Sequence, residues 1–235
     1  MAKRTVLKLG YFIATFPLLL ISKLVFVFNW WGFKDDSIKC LAVASKHNGI
    51  SLPKELLVTL EVAEDHRNQF HFGIDQIALF RALFSTLKGS VQGASTIEQQ
   101  FVRVVINKYE RTLKRKIFEQ LLAVYISSIL TKENIATAYL CIAYYGQNEQ
   151  GTLKLKNTTD IAFSKLKYLD AIAIISRLKY PEPSQKNYQW LTKFERRNKH
   201  LAVRVNTANK LINKDKKQLA VFVPQHFSQQ FFAHY

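Results

Sequence analysis

The sequence predicts a mainly α-helical chain carried behind one transmembrane helix. Three observations lead there. An apolar stretch of membrane-spanning length lies near the N-terminus, apolar positions recur at helical spacing from Ser51 onward, and Gln218 to Val223 is the only short β-like run. The chain has 235 residues, 48% of them hydrophobic and 13% aromatic, enough to bury a core in one domain of ordinary size. With 8 Gly, 5 Pro and 2 Cys it is not disordered, collagen-like or a disulfide scaffold. The 34 basic against 17 acidic side chains leave +17, a surplus that suits nucleic acid, an anionic membrane surface or a phosphate-bearing substrate.

The elements follow in order. Residues 1–9 form a basic N-terminus, with Lys3, Arg4 and Lys8 ahead of the apolar stretch of residues 10–33. At about 1.5 Å per residue that stretch crosses a hydrocarbon core of about 30 Å. Positive charge before it keeps the N-terminus in the cytoplasm and places the remainder outside, with Trp30 and Trp31 at the outer interface. Pro17 and Lys23 interrupt the span. A signal-anchor fits better than a cleaved signal peptide, because no small-x-small site follows. Such an exported chain does not ordinarily meet nucleic acid, so the charge points to lipid headgroups or a phosphorylated lipid.

Residues 34–50 read as a polar, mixed-charge connector, and residues 51–187 as the catalytic or binding domain. Ser51 is a plausible cap with Pro53 in the first turn, and Leu56, Leu57, Leu60 and Ala63 continue the period. Ile77, Leu79, Phe80, Leu83 and Phe84 predict a second helix ending near Gly89, followed by a loop to Ala94. Ser95-Thr96-Ile97-Glu98 has the capping-box pattern. Helices are predicted over Arg111 to Leu130, Thr131 to Tyr145 and Leu166 to Leu178, the last stopped by Pro181 and Pro183. Residues 188–235 form a basic, helix-like C-terminal extension. Cys40 and Cys141, far apart and apolar-flanked, read as separate buried thiols.

Two clusters suggest chemistry. Glu64 and Asp65 end an apolar helix, where the negative end of the dipole and partial burial raise a carboxylate toward general-base duty. A solvated acidic helix end explains the same residues. Arg111, Arg115 and Glu119 are spaced by four on one helical stripe, with Lys114 and Lys116 beside them and Leu113, Ile117, Leu121 and Val124 opposite as a core face. That stripe could clamp a pyrophosphate, or could be an ordinary salt-bridged solvent face. The Ser95 segment is a cap or a phosphate-facing helix N-terminus.

Taken together, Glu64-Asp65 with His71-x-Gly73-x-Asp75, Gly93 through Gln100, Arg111 through Glu119, Lys132-Glu133-Asn134-Ile135, Tyr139-Leu140, Tyr144-Tyr145-Gly146 and Leu169-Asp170-Ala171 resemble glycosyltransferase family 51. This is the peptidoglycan glycosyltransferase of monofunctional transglycosylases and class A penicillin-binding proteins. The resemblance runs from Leu52 to Pro183. It implies a lysozyme-like helical lobe plus a small membrane-facing jaw lobe. Its substrates would be lipid II and the growing glycan chain, polymerised at the outer face of the bacterial inner membrane with release of undecaprenyl pyrophosphate. Glu64 would take the proton of the acceptor hydroxyl and Glu119 would assist departure of the pyrophosphate. Asp65, His71, Thr96, Gln99 and Gln100 would shape the cleft, and Arg103, Arg111, Arg115 and Lys116 would contact pyrophosphate or sugar. No cofactor is required; a divalent Mg or Mn ion fits the family's phosphate chemistry. Other cell-wall synthesis proteins are expected partners beside the membrane lipids.

The chain departs from the family pattern at Asn68, where Phe is usual, at Glu98, where Thr is usual, at Cys141, where Asn is usual, and at Asp170, where Glu is usual. Glu98 adds a negative charge near the expected phosphate site. These departures make a catalytically impaired, membrane-anchored binder of lipid II or of cell-wall proteins the alternative reading. A lytic enzyme fits less well, since a hydrolase of neutral glycosidic bonds needs no cationic clamp. About 50 residues follow Pro183, too few for a transpeptidase domain, so polymerisation without cross-linking is expected.

Overall fold

The computed structural model describes residues 2–90, 93–146, 149–150 and 166–222. Among them are nine α-helices and one short strand pair, in keeping with the mainly helical expectation. Helix α1 (Ala2–Val27) is long and apolar enough to cross a membrane and carries Pro17 inside it. It ends earlier than the predicted span. Asn29, Trp31 and Gly32 take left-handed φ of 47°, 57° and 72°, and the 3₁₀ turn Trp30–Gly32 redirects the chain. The Asn29 side chain locks this corner, accepting from the Lys34 amide at 2.9 Å and donating to Asp35 at 3.3 Å.

Helix α2 (Phe33–Lys46) replaces the predicted connector. Its charges conceal a helical stripe of Phe33, Ser37, Cys40 and Ala44, all buried. Asp36 is buried on the same side because Lys39 and Lys108 donate to it at 3.0 and 2.8 Å. Burial pushes its carboxyl up, yet the two ammonium groups hold it below its ordinary value.

Helix α3 (Lys54–Glu64) starts after Pro53 rather than after Ser51, and α4 (Gln76–Leu87) is capped by Asp75. Helix α5 (Ile97–Ile106) is capped by Thr96, one residue later than the capping-box reading, because the Thr96 hydroxyl accepts the Gln99 amide. Helix α6 (Leu113–Ser127) is capped by Thr112, which leaves Arg111 outside the helix that carries Arg115 and Glu119. The predicted core face of α6 holds in its second half, where Leu121 and Val124 are buried, and is corrected in its first. Leu113 is 76% exposed and Ile117 44%, while Phe118, Glu119, Leu122 and Ile126 are buried as well. The first turn of α6 projects beside Trp31, whose ring carries Lys114, so its apolar side finds no core there.

Helix α7 (Lys132–Ile142) is capped by Thr131 as predicted but stops before β1 (Tyr144–Gly146), which pairs antiparallel with β2 (Glu149–Gln150). Helices α8 (Tyr168–Lys179) and α9 (Tyr188–Phe222) complete the described chain. The strand-like run from Gln218 belongs to α9 up to Phe222, with Val223 outside the described residues. A run that short needs a partner edge to satisfy its backbone, whereas a helix satisfies it internally.

The core gathers α5, α6 and α7 around Phe101, Val102, Leu122, Ile126 and Leu140, with α3, α8 and α9 packed beyond. Phe194, Leu201 and Val205 of α9 are buried. Helix α1 lies along α6 through a stripe of Tyr11, Thr15, Ser22 and Val25. Two polar bonds fix it to the start of α4: the Tyr11 hydroxyl donates to Asp75 at 2.7 Å, and Gln76 donates to Thr15 at 2.7 Å. No disulfide joins Cys40 and Cys141.

Candidate active site

Glu64 is the last residue of α3, set there by the burial of Leu56 and Leu60 on the same helix. Its side chain is 19% exposed. One oxygen accepts from Gln100 Nε2 at 3.2 Å and the other from Arg197 at 2.8 Å. Gln100 in turn accepts from the Tyr139 hydroxyl at 2.7 Å, which fixes the orientation of its amide. Beside this group a small polar cavity of about 30 Å³ is lined by Glu64, Asp65, Arg81, Ser95 and Thr96, among others. A second cavity, of about 460 Å³, is lined by Gln100, Arg103, Tyr109, Tyr139 and Tyr144, among others.

One helical turn after Gln100, Arg103 reaches Glu119 with two parallel bonds of 2.9 Å. Lys116 donates to the same carboxylate at 2.9 Å, and Arg115 bonds it closely. Three cations therefore surround one carboxylate that is 1% exposed, while their own side chains are 15–28% exposed. Burial pushes Glu119 up, but Arg103 and Lys116 outweigh it and hold the carboxyl below its ordinary value. Lys116 is lowered by burial, against the pull of Glu119. Ser95 Oγ accepts from Arg103 at 3.3 Å and from Lys116 at 3.1 Å, so the residue that lines the Glu64 cavity also touches the cation cluster. Gln99, fully buried, gives its carbonyl oxygen to Lys116 at 3.1 Å. Arg111 is exposed ahead of Thr112 and takes no part in the bonds to Glu119.

Asp65, His71 and Thr96 hold the loop behind Glu64. His71 donates from Nε2 to both oxygens of Asp65 at 2.9 Å, and Asp65 also accepts from the Ile97 amide at 3.2 Å. Thr96 donates to the Gly73 carbonyl at 2.8 Å. Asn68, at a position of departure, is buried and donates to Glu61 at 3.1 Å, so it braces α3 rather than disrupting it. Asp170 accepts from the Lys167 amide at 2.9 Å and tightens the start of α8. Glu98 does not face the cations around Glu119: it is buried and paired with Lys132.

Asp65, His71 and Glu98 each offer a ligand atom within 4.8 Å of one another. They do not fit a divalent cation, because the Lys132 ammonium is bonded to Glu98 and lies 3.2 Å from His71 Nδ1, supplying the positive charge there. The donor set around Glu119 is cationic and suits phosphate oxygens rather than a metal.

The sequence alone does not single out Arg197, gives no role to Lys132 or Tyr139, and reads Ser95 as a cap or phosphate contact rather than as a partner of Arg103 and Lys116. Arg197 carries a legible signal: it lies three residues after Phe194 and four before Leu201, on the helical face that is buried.

A carboxylate beside a cation-clamped second carboxylate, on a helical fold, can take a proton and hold an anionic group side by side. The transglycosylase family model matches residues 44–206, and the chain belongs to that family of peptidoglycan glycosyltransferases. It is 39% identical over 102 residues to penicillin-binding protein 1A of Vibrio cholerae, covering 43% of this chain and 12% of that protein. Against penicillin-binding protein 1A of Haemophilus influenzae it is 33% identical over 176 residues, 74% of this chain and 20% of the relative. The chain thus spans a fifth or less of these two proteins' lengths.

Proposed function

We propose that the chain polymerises lipid II into glycan strands, releasing undecaprenyl pyrophosphate. The observation that carries this reading is the placement of Glu64 and the cluster of Arg103, Lys116 and Glu119 along one side of α5, joined through Gln100 and Ser95. Glu64 accepts the proton of the acceptor sugar hydroxyl while that oxygen attacks the anomeric carbon of the growing chain. The bond from that carbon to the pyrophosphate oxygen breaks, and its electron pair leaves with the pyrophosphate. Arg103, Arg115 and Lys116 stabilise the departing charge, with Glu119 holding them in register before the donor arrives. Arg111, exposed just ahead of the cluster, extends the cationic approach. Gln100 and Arg197 aim the Glu64 carboxylate. Helix α1 anchors the domain at the outer face of the inner membrane, where lipid II and anionic headgroups meet the +17 chain.

The test is polymerisation of labelled lipid II by the full-length protein in detergent, beside Glu64→Gln. Glycan strands from the unaltered chain and none from the variant support the reading. Lipid II bound without polymer would favour the binder instead.

A further inference from the structure

Glu98 replaces the Thr usual at its position in the family that the sequence resembles, and a second acidic group beside a phosphate site reads as damage. The structure gives it other work. Lys132 Nζ bonds Glu98 Oε1 closely and lies 3.2 Å from His71 Nδ1. An ammonium has only donors, so Nδ1 must accept, and the proton of the neutral ring sits on Nε2. That is the nitrogen facing both oxygens of Asp65. Asp65 also receives the amide of Ile97, the residue before Glu98. The bonds therefore close a ring: Ile97 amide, Asp65, His71, Lys132, Glu98, and back to Ile97 through one peptide link.

Three of its side chains are at most 3% exposed, with Lys132 at 32%. The other oxygen of Glu98 is buried without a partner among the described residues, so this carboxylate depends on Lys132 for its charge balance. The ring joins the loop after α3, the start of α5 and the start of α7. Glu64 immediately precedes Asp65, and Gln100 follows Glu98 by two residues, so both halves of the Glu64–Gln100 bond hang from it. We propose that Glu98 and Lys132 are positioning residues: the Lys132 ammonium, held by Glu98, keeps Nδ1 of His71 free of a proton while Asp65 holds the proton on Nε2, and the closed ring sets the aim of Glu64. The inference rests on the glycosyltransferase reading for its catalytic consequence but not for the tautomer.

The test uses full-length protein labelled with ¹⁵N-histidine, with His71 assigned by comparison with His71→Gln. In the unaltered chain His71 should show an unprotonated Nδ1 and a protonated Nε2. In Lys132→Met the buried Glu98 loses its ammonium, so Nδ1 should become protonated as well, and kcat should fall about 10- to 100-fold, the scale of misplacing a reacting group, with KM for lipid II little changed. Lys132→Arg should keep Nδ1 unprotonated and kcat near that of the unaltered chain. Should Lys132→Met fail to fold, Lys132→Gln, neutral and able to accept from a protonated Nδ1, should give the same result. An Nδ1 that stays unprotonated, or a protonated Nδ1 with an unchanged kcat, overturns the proposal. If the unaltered chain makes no polymer, the glycosyltransferase reading fails alone, and the ¹⁵N spectra still decide whether the pair keeps Nδ1 unprotonated.

Discussion

Replacing Glu119 with Gln keeps the shape of the side chain and removes its charge. The carboxylate accepts four bonds from Arg103, Arg115 and Lys116 while 1% exposed. An amide offers one oxygen and turns its NH₂ toward three donors, leaving the cations crowded and partly unpaired. Breaking a buried ion pair costs about 3–5 kcal/mol; the cations keep some contact with water, so about 3 kcal/mol is expected. At roughly 2–4 °C per kcal/mol for a chain of this size, the midpoint of thermal unfolding should fall by roughly 6–12 °C. Inorganic pyrophosphate should then reverse the order of response. In the unaltered protein Glu119 competes with the ligand for the same donors, whereas in Glu119→Gln the ligand replaces the missing charge. A saturating ligand at a hundred times its Kd adds about 2.7 kcal/mol, so pyrophosphate should raise the midpoint of the variant more than that of the parent. Scanning fluorimetry in detergent with and without pyrophosphate measures both. An undiminished midpoint, or equal increments in the two proteins, would refute the view of this cluster as a pyrophosphate clamp held ready by its own carboxylate.

Gly73→Ala should destabilise the protein by about 2–3 kcal/mol, read by chemical denaturation, because Gly73 sits at φ +86° with a Cβ position 2.6 Å from the Ala123 carbonyl oxygen. Asp75 is pushed up by burial but held below its ordinary value by the Ala78 amide, Tyr11 and Arg67. Its contribution is therefore present above the unfolded carboxylate pKa of about 3.9 and disappears as pH falls through the lower folded value. Hydrogen exchange across residues 66–76 should quicken in that acid window, and Asp75→Asn should show fast exchange at every pH. Arg197→Met should lower kcat for polymerisation about 10-fold or more by freeing Glu64 to turn; a kcat equal to the parent's would exclude a role for α9 in aiming it.

Local features of this chain are legible in its residues alone. The period of Leu56 and Leu60 marks α3, Thr131 marks the start of α7, and Arg115, Lys116 and Glu119 stand out by their spacing, while Arg103 enters only through the family resemblance. What escapes reading depends on distant partners. Asp36 looks like a solvent charge until Lys108, 72 residues on, arrives to neutralise it, and that disguise hides α2. Arg197 meets Glu64 across 133 residues, and Glu98 looks like an intruder on a phosphate site because its partner Lys132 lies on another helix. On α6, Leu121 and Val124 are buried as their spacing says but Leu113 and Ile117 are not, because periodicity tells which residues share a side and packing alone tells how far along the helix that side is covered.

Helix α1 has a consequence of its own. A leash fixes only how far a domain can drift, but α1 is splinted. Its flank is bonded at Tyr11 and Thr15, and its end is turned by a corner of left-handed residues that Asn29 locks. Turning α1 against the domain would break the Tyr11–Asp75 and Gln76–Thr15 bonds, so α1 and the segment that caps α4 move as one body.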